Sequence, residues 1–277
     1  MRRVGIVGCG AIGSALALAI ERDHAKTAKV VALVDREHAK ALTLQRRLAS
    51  HPPIVSLLEL IRRSRLVIEA ATVSVTPRVV RLALAANRDV LVMSTGGLLA
   101  NSASWQRLAQ RSRGRLHIPS GALCGVDGIK AMAVGTITRI RLTTRKPPRA
   151  LASSPFVQAH RLQLTRIRKP MVLFEGSPAQ VIRAFPQNTN VAATLALASR
   201  GTTGASTRRR PTARVRVVAD PSLRMNVHEL EVQGDCGRIS VRVESRPSRA
   251  NPKTSELAIR SALATLKQLL TPVSIGT

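Results

Sequence analysis

The stretch VGIVGCGAIGSALALAI (Val4–Ile20) decides the fold of this chain. A short apolar run rich in β-branched residues leads into the hexapeptide GCGAIG at 8–13, and a run of alanine and leucine follows. A GxGxxG pattern alone recurs by chance, but a strand before it and a helix after it are the context of a dinucleotide-binding turn. The stretch therefore predicts a strand, a phosphate-binding turn and a helix, in that order.

The residues of this turn have separate tasks. Gly8 allows the tight turn, Gly10 lets a pyrophosphate approach the backbone, and Gly13 lets the helix pack closely on the strand. Ala11 and Ile12 open the helix, where free N–H groups and the positive end of the helix dipole favour phosphate. We expect all five residues to bind the cofactor.

The acid at the end of the next apolar strand indicates which nucleotide is bound. Asp35 follows Gly13 by 22 residues and is expected to accept hydrogen bonds from ribose hydroxyls, which favours NAD. Arg36 could bind a 2′-phosphate, so NADP use remains open. The alternative role for Asp35 is to cap the helix that follows.

Apolar strands alternate with helical stretches in the first part of the chain, with strands predicted at 3–8, 29–35, 65–72 and 89–97. This alternation predicts a parallel sheet covered on both faces. Past residue 115, alternating polar and apolar residues predict a mixed or antiparallel sheet. We expect an α/β fold with a Rossmann domain at 1–114, a smaller α/β domain at 115–250, and a C-terminal helix within 251–277 that packs on the first domain.

Charge is the unusual feature of the composition. Lysine and arginine number 44 against 15 acidic residues, for a formal net charge of +29. Such a surface attracts polyanions, and nucleic acid is the first candidate. The chain has no tyrosine, one tryptophan and three phenylalanines, so the platforms that stack single-stranded bases are nearly missing. We therefore expect a basic surface without a specific nucleic-acid partner.

Cysteine usage and hydropathy argue against disulfide-rich, zinc-binding and membrane proteins. Three cysteines stand far apart without a CxxC pair, which indicates a reducing compartment and argues against a disulfide framework or a zinc site. We expect no bound metal. No apolar run approaches the ~18 residues of a membrane span, so we expect a cytoplasmic protein without membrane association.

Polar motifs of the second half are more specific than the glycine turn. They are IPSGALCGVDGIKA (118–131), TTRKPP (143–148), FEGSPAQVI (174–182), FPQNTNVAATLALA (185–198), ADPSLRMNVHEL (219–230) and NPKTSELA (251–258). Together, and in this order, they resemble the L-aspartate dehydrogenase family over nearly the whole chain.

The resemblance implies a homodimer in which residues 115–250 form the catalytic and dimerisation domain. It implies oxidation of L-aspartate by NAD or NADP to iminoaspartate, which hydrolyses to oxaloacetate and ammonia or feeds NAD biosynthesis. The family's catalytic histidine falls on His228, and its nicotinamide-cofactor contacts fall on Cys124 and Asn190. An imidazole with an ordinary pKa near ~6.5 suits proton transfer at neutral pH. We therefore expect His228 to be the general acid and base.

A substrate with two carboxylates needs cations and N–H donors. Lys146 and Lys253 are the candidate cations, and Thr254 and Ser255 stand at a predicted helix start that could bind a carboxylate or only cap the helix. Asn188 or Asn190 could hold the substrate or the carboxamide of the cofactor. Glu229 is expected to face the opposite side of its strand from His228.

Other functions compatible with the sequence come from different classes. A dehydrogenase or reductase of another amino-acid pathway, such as a dihydrodipicolinate-reductase-like enzyme, would share the glycine turn. A basic nucleic-acid-binding protein on a Rossmann scaffold would lose affinity steeply with salt. A cofactor sensor would bind NADH without turnover.

Overall fold

The structure, a computed structural model, describes residues 1–99, 102–186, 189–200, 213–248, 251 and 254–276. The chain divides into two units. The first consists of Met1–Pro119 with Ile259–Ile275, and the second consists of Ser120–Ala258 with Gly276.

The first unit is a doubly wound parallel sheet. Its elements are β1 (Arg2–Val7), α1 (Ala11–Asp23), β2 (Ala28–Val34), α2 (His38–Arg47), α3 (Leu57–Arg63), β3 (Leu66–Glu69), α4 (Thr76–Ala85), β4 (Asp89–Val92), α5 (Ser102–Arg111) and β5 (Leu116–His117). The strands lie in the order β2-β1-β3-β4-β5, and every pair is parallel. The central strands are buried on both faces, which explains their continuous apolar sequence.

The C-terminal helix α11 (Glu256–Leu270) contributes to the core of this unit. Ala262 and Leu266 are fully buried in one cluster with Leu16 and Ile20 of α1. Each buried leucine or isoleucine of such a cluster contributes about 1.5–3 kcal/mol relative to an exposed one.

The second unit contains a mixed sheet, which also has five strands, so this unit is not smaller than the first, contrary to expectation. Its elements are α6 (Val126–Met132), β6 (Ile137–Lys146), α7 (Pro148–Leu151), α8 (Pro155–Ala159), β7 (Met171–Gly176), α9 (Pro178–Ala184), α10 (Thr189–Arg200), β8 (Arg214–Ala219), β9 (Asn226–Gly234) and β10 (Gly237–Ser245). The strand order is β10-β9-β6-β8-β7. β6 and β8 are parallel, while the other three pairs are antiparallel.

The two faces of the mixed sheet differ because its side chains alternate. One face is apolar over most of its length, where Leu142 of β6 pairs with Leu230 of β9 in the core. The other face carries ion pairs, such as those from Glu229 to Arg145 and to Arg242. Glu229 therefore lies on the face opposite to that of its neighbours in the core, as expected.

The sequence-based strand bounds differ from the structure mainly at the carboxyl ends. The strands predicted at 65–72 and 89–97 end at Glu69 and Val92, where the chain turns into loops. β5 has only two residues and leaves no periodic signal in the sequence. Among the described residues, no helix combines the length and apolar character needed to cross a membrane.

Candidate active site

The glycine turn joins the carboxyl end of β1 to the start of α1. Gly8 has φ +94, a left-handed conformation that side chains disfavour, and a Cβ there would approach the backbone of Ala70 to 2.5 Å. A Cβ on Gly13 would overlap the carbonyl oxygen of Gly8. By contrast, a Cβ on Gly10 would meet no described atom within 4 Å. Two of the glycines are therefore required by the packing, whereas the third leaves open space.

The amino end of α1 begins at this open space. Gly10 is the N-cap, no side chain caps the helix there, and the first turn holds no acidic residue. Ala11 and Ile12 are the first two helical residues, so their N–H groups have no acceptor within the helix. The free N–H groups and the positive helix end together suit a phosphate.

Asp35 fastens the turn to the end of β2. One carboxylate oxygen accepts a hydrogen bond from the Cys9 N–H at 2.7 Å, and the other accepts from the Glu37 N–H at 2.8 Å. The N-cap of α2 is Glu37 rather than Asp35. Asp35 therefore holds the glycine turn directly, a contact that the spacing of the motif does not reveal.

Glu69 is a residue that sequence reasoning missed. It is fully buried at the end of β3, and its two oxygens accept hydrogen bonds from the N–H groups of Ala71 at 2.9 Å and Ser94 at 3.1 Å. Burial raises the pKa of this carboxyl group. Glu69 therefore joins the loops after β3 and β4, on the carboxyl edge where nucleotides bind in this type of sheet. An acid at the end of an otherwise apolar run was the available signal.

His228 lies in the second unit, where the core face of the mixed sheet becomes polar. It pairs with Thr144 of β6 on one side and with Val243 of β10 on the other. The imidazole is 4% exposed, and its Nδ1 lies 3.1 Å from Oγ1 of Thr144. A buried histidine held by a buried hydroxyl has a fixed ring orientation, which proton transfer requires.

Lys146 lies on the same strand face, two residues beyond Thr144. Burial lowers its pKa to about 8. Burial, and next the positive charge of Lys146, lower the pKa of His228 to about 3. At neutral pH the site therefore combines an uncharged imidazole with a cation of reduced proton affinity.

The turn that carries Cys124 lies on the same sheet face. Gly125, with φ +78, precedes α6, and a Cβ there would approach Val241 to 3.1 Å and Leu230 to 3.8 Å. Leu230 follows His228 by two residues and therefore shares its face. Cys124 is exposed in this turn. Asn190 is exposed in the first turn of α10, which packs into the same core.

Ser255 contacts the end of β10, close to the strand position of His228. Its hydroxyl is hydrogen-bonded to that of Ser245, which pairs with Asn226 two residues before His228. Thr254 is half-buried, and its carbonyl accepts a hydrogen bond from the Ser248 N–H at 2.7 Å. Two further candidate substrate ligands, Asn188 and Lys253, lie outside the described residues.

Sequence comparison assigns the two halves of the chain. A family described as the C-terminal part of aspartate dehydrogenase matches residues 127–269, and one described as the NAD-binding domain of homoserine dehydrogenase matches residues 8–118. L-aspartate dehydrogenases from Methanosarcina barkeri and Methanosarcina acetivorans are each 42% identical, with full coverage of both chains. The chain belongs to the aspartate dehydrogenase family.

Solved structures agree with this assignment at the level of the fold. An aspartate dehydrogenase from Thermotoga maritima superposes with a TM-score of 0.73 at 22% identity, covering 100% of both chains. A homoserine dehydrogenase from Thiobacillus denitrificans reaches a TM-score of 0.62 at 12% identity, covering 97% of this chain and 73% of its own. Both units of this aspartate dehydrogenase family member therefore have relatives of known structure.

The first unit fits NAD or NADP on its own geometry. The open space over Gly10, the uncapped start of α1 and the carboxylate of Asp35 are the three features that a dinucleotide requires at this point. Gly8, Gly10, Ala11, Ile12 and Gly13 would face the phosphates, and Asp35 the ribose.

Proposed function

We propose that this protein is an L-aspartate dehydrogenase that uses NAD or NADP. The amino-bearing carbon of aspartate loses a hydride, the nitrogen loses a proton, and water then converts the imine to oxaloacetate and ammonia. The nicotinamide ring, when bound, supplies the acceptor for the hydride. The buried pair of His228 and Thr144 beside Lys146, in a chain of this family, is the observation that carries the proposal.

His228 is the proposed acid and base. Because Nδ1 faces the Thr144 hydroxyl, Nε2 is the nitrogen that exchanges protons with the substrate and with the attacking water. For Nε2 to accept a proton, Nδ1 must carry hydrogen and donate it to Oγ1 of Thr144. The pKa of about 3 makes His228 a weak base before the substrate binds. The two carboxylates of aspartate offset the charge of Lys146 and so raise that pKa.

Lys146 is the proposed partner of a substrate carboxylate. It carries charge in a buried position, where a carboxylate gains more from pairing than it would at the surface. Ser255 and Thr254, with Asn188 and Lys253, are the further candidates for binding the substrate. Cys124 and Asn190 are proposed to contact the nicotinamide end of the cofactor.

The same proposal covers the organisation of the protein. The second unit is the proposed catalytic and dimerisation domain, the first unit is the proposed cofactor domain, and the chain works as a homodimer in the cytoplasm. Iminoaspartate that escapes hydrolysis is the proposed link to pyridine nucleotide biosynthesis. No specific nucleic acid takes part.

Absorbance at 340 nm tests this function directly. L-aspartate with NAD or NADP should produce reduced nucleotide, whereas homoserine with NAD or NADP should not. Dihydrodipicolinate, which a reductase would reduce, should not consume NADH or NADPH. Turnover of either of those compounds in place of aspartate would identify the enzyme of another amino-acid pathway. Binding of NADH without any turnover would identify a sensor.

A further inference from the structure

The amino edge of the parallel sheet carries a row of arginines that the proposed reaction does not use. Each of four neighbouring strands is preceded or opened by arginine: Arg2 and Arg3 at β1, Arg65 before β3, Arg88 before β4, and Arg113 and Arg115 before β5. Parallel strands bring their amino ends to one edge, so residues far apart in sequence meet there. Nucleotides bind at the opposite, carboxyl edge.

A cavity of about 450 Å³ opens at this edge, within the first unit. It is lined by Arg2, Arg65, Arg113, Asn87 and Asp89, hence by three guanidinium groups against one carboxylate. This volume lies in the range of pockets for small molecules, about 300–1,000 Å³.

Asp89 is already engaged by neighbouring groups. Its carboxylate forms an ion pair with Arg2 and accepts a hydrogen bond from the Arg115 N–H at 2.8 Å. Arg2 also donates to the carbonyl oxygen of Leu269 at 2.7 Å, which fixes one wall of the cavity. The only acid of the lining therefore stabilises the wall rather than neutralising the remaining cations.

The other guanidinium groups of the edge have no such partner. Among the described residues, no carboxylate lies within ion-pair distance of Arg65, Arg88 or Arg113. The Nε of Arg88 is buried and has no hydrogen-bond partner in the described part of the chain. Like charges gathered at one edge repel each other, so an anion bound between them would lower the energy of the folded state.

We propose that this cavity is a second anion site, for a small molecule that carries several phosphate groups. Guanidinium groups bind phosphate oxygens through paired N–H donors, and three of them around one cavity match a ligand with several phosphates. A nucleic-acid strand fits less well, because none of the lining residues is aromatic and bases would have nothing on which to stack.

Calorimetric titration of the full chain with inorganic tripolyphosphate, in 0.15 M salt and with NADH in excess, tests the site. NADH covers the glycine turn, so binding that persists at one tripolyphosphate per chain supports a separate site. The double variant Arg65→Ala/Arg113→Ala should raise the Kd at least about tenfold, since each lost guanidinium–phosphate contact contributes about as much as a charged hydrogen bond.

The matched control is Arg166→Ala/Arg168→Ala, which removes the same charge from two exposed positions of the second unit. Its Kd should stay within about twofold of wild type, because neither residue lines the cavity and salt screens charges that are not in direct contact with the ligand. An equal loss in both variants would show that net charge alone binds the anion and would overturn the proposal. Displacement by NADH, or tighter binding of a single-stranded oligonucleotide of the same charge, would overturn it too.

The inference does not depend on the reaction. If aspartate were not oxidised, one tripolyphosphate per chain would still be expected to bind, and Arg65→Ala/Arg113→Ala would still weaken it. The Gly10→Val variant, whose glycine turn is blocked, distinguishes the cavity from the glycine turn without NADH, because tripolyphosphate should still bind to it.

Discussion

The glycine turn and the region around His228 are proposed to bind their ligands through different chemical groups of the chain. The glycine turn presents backbone N–H groups over the open space at Gly10, and its side chains matter mainly by being absent. The region around His228 presents side chains, and each of these is placed by strand register. Backbone sites tolerate change in their surroundings but not at the glycines, whereas side-chain sites depend on every neighbour that fixes a ring or a charge.

Replacing His228 with alanine is the strongest test of this difference. Loss of the proposed acid and base should lower kcat by about 10³-fold, within the ~10²–10⁴-fold range of general acid–base catalysis. NADH affinity should be unchanged, because the glycine turn, Asp35, Cys124 and Asn190, which are proposed to bind the cofactor, are all intact. Steady-state rates at 340 nm and NADH fluorescence titration measure the two quantities. A variant that kept a tenth of the wild-type rate would remove His228 from the mechanism.

The converse variant is Gly10→Val. The backbone of Gly10 is extended, with φ −75, and a Cβ there meets no described atom within 4 Å, so the thermal midpoint should change little. The side chain would instead fill the space proposed for the pyrophosphate, and the Kd for NADH should rise at least about tenfold. Gly13→Ala is the matched control, and overlap with Gly8 should cost it about 1–3 kcal/mol of unfolding free energy. Unaltered NADH binding in Gly10→Val would place the pyrophosphate elsewhere.

How far each region could be predicted follows from the same difference. The glycines, Ala11 and Ile12 lie within six residues, so their spacing, with the apolar run before them and the helical run after them, predicted the strand, turn and helix that the structure contains. Thr144 and His228 are 84 residues apart and meet only through the pairing of β6 with β9. No local pattern reports that pairing, and so Thr144 was missed although His228 was not.

The alkaline limb of substrate binding tests the charge of Lys146. Its pKa, lowered from 10.5 to about 8, means that the group is cationic below pH 8 and loses its charge above it. Affinity for a dicarboxylate should therefore weaken by up to about tenfold per unit as pH rises beyond 8. The inhibition constant of succinate is the appropriate measurement, since succinate has no amine that titrates in this range. Lys146→Arg stays charged, so its inhibition constant for succinate should not rise with pH. A wild-type inhibition constant that stays level up to pH 9.5 would contradict this role of Lys146.

Thr144→Val tests whether the hydroxyl matters beyond packing. Valine has nearly the same shape but cannot bond Nδ1 of His228, so the ring loses its fixed orientation. We expect kcat to fall about tenfold, as for other partners that orient a functional histidine, with KM little changed. Thr144→Ser, which restores the hydroxyl, should recover most of kcat. Equal rates in the valine and serine variants would show that Thr144 only fills space.

Asp35→Asn should give the smallest effect, and it concerns the choice of nucleotide. The carboxylate of Asp35 would repel a 2′-phosphate, and removing one charge near the surface changes such an interaction by about 1 kcal/mol, or about fivefold in affinity. The ratio of kcat/KM values for NADP and NAD should therefore shift about fivefold toward NADP. Glu37→Gln is the control, because this exposed acid pairs with Lys40 and should leave the ratio unchanged. The NH2 group of the asparagine would replace one acceptor oxygen, so the hydrogen bond from either the Cys9 N–H or the Glu37 N–H would be lost. Affinity for both nucleotides should therefore fall slightly. A loss of affinity without any shift in the ratio would mean that Asp35 holds the glycine turn and does not select the ribose.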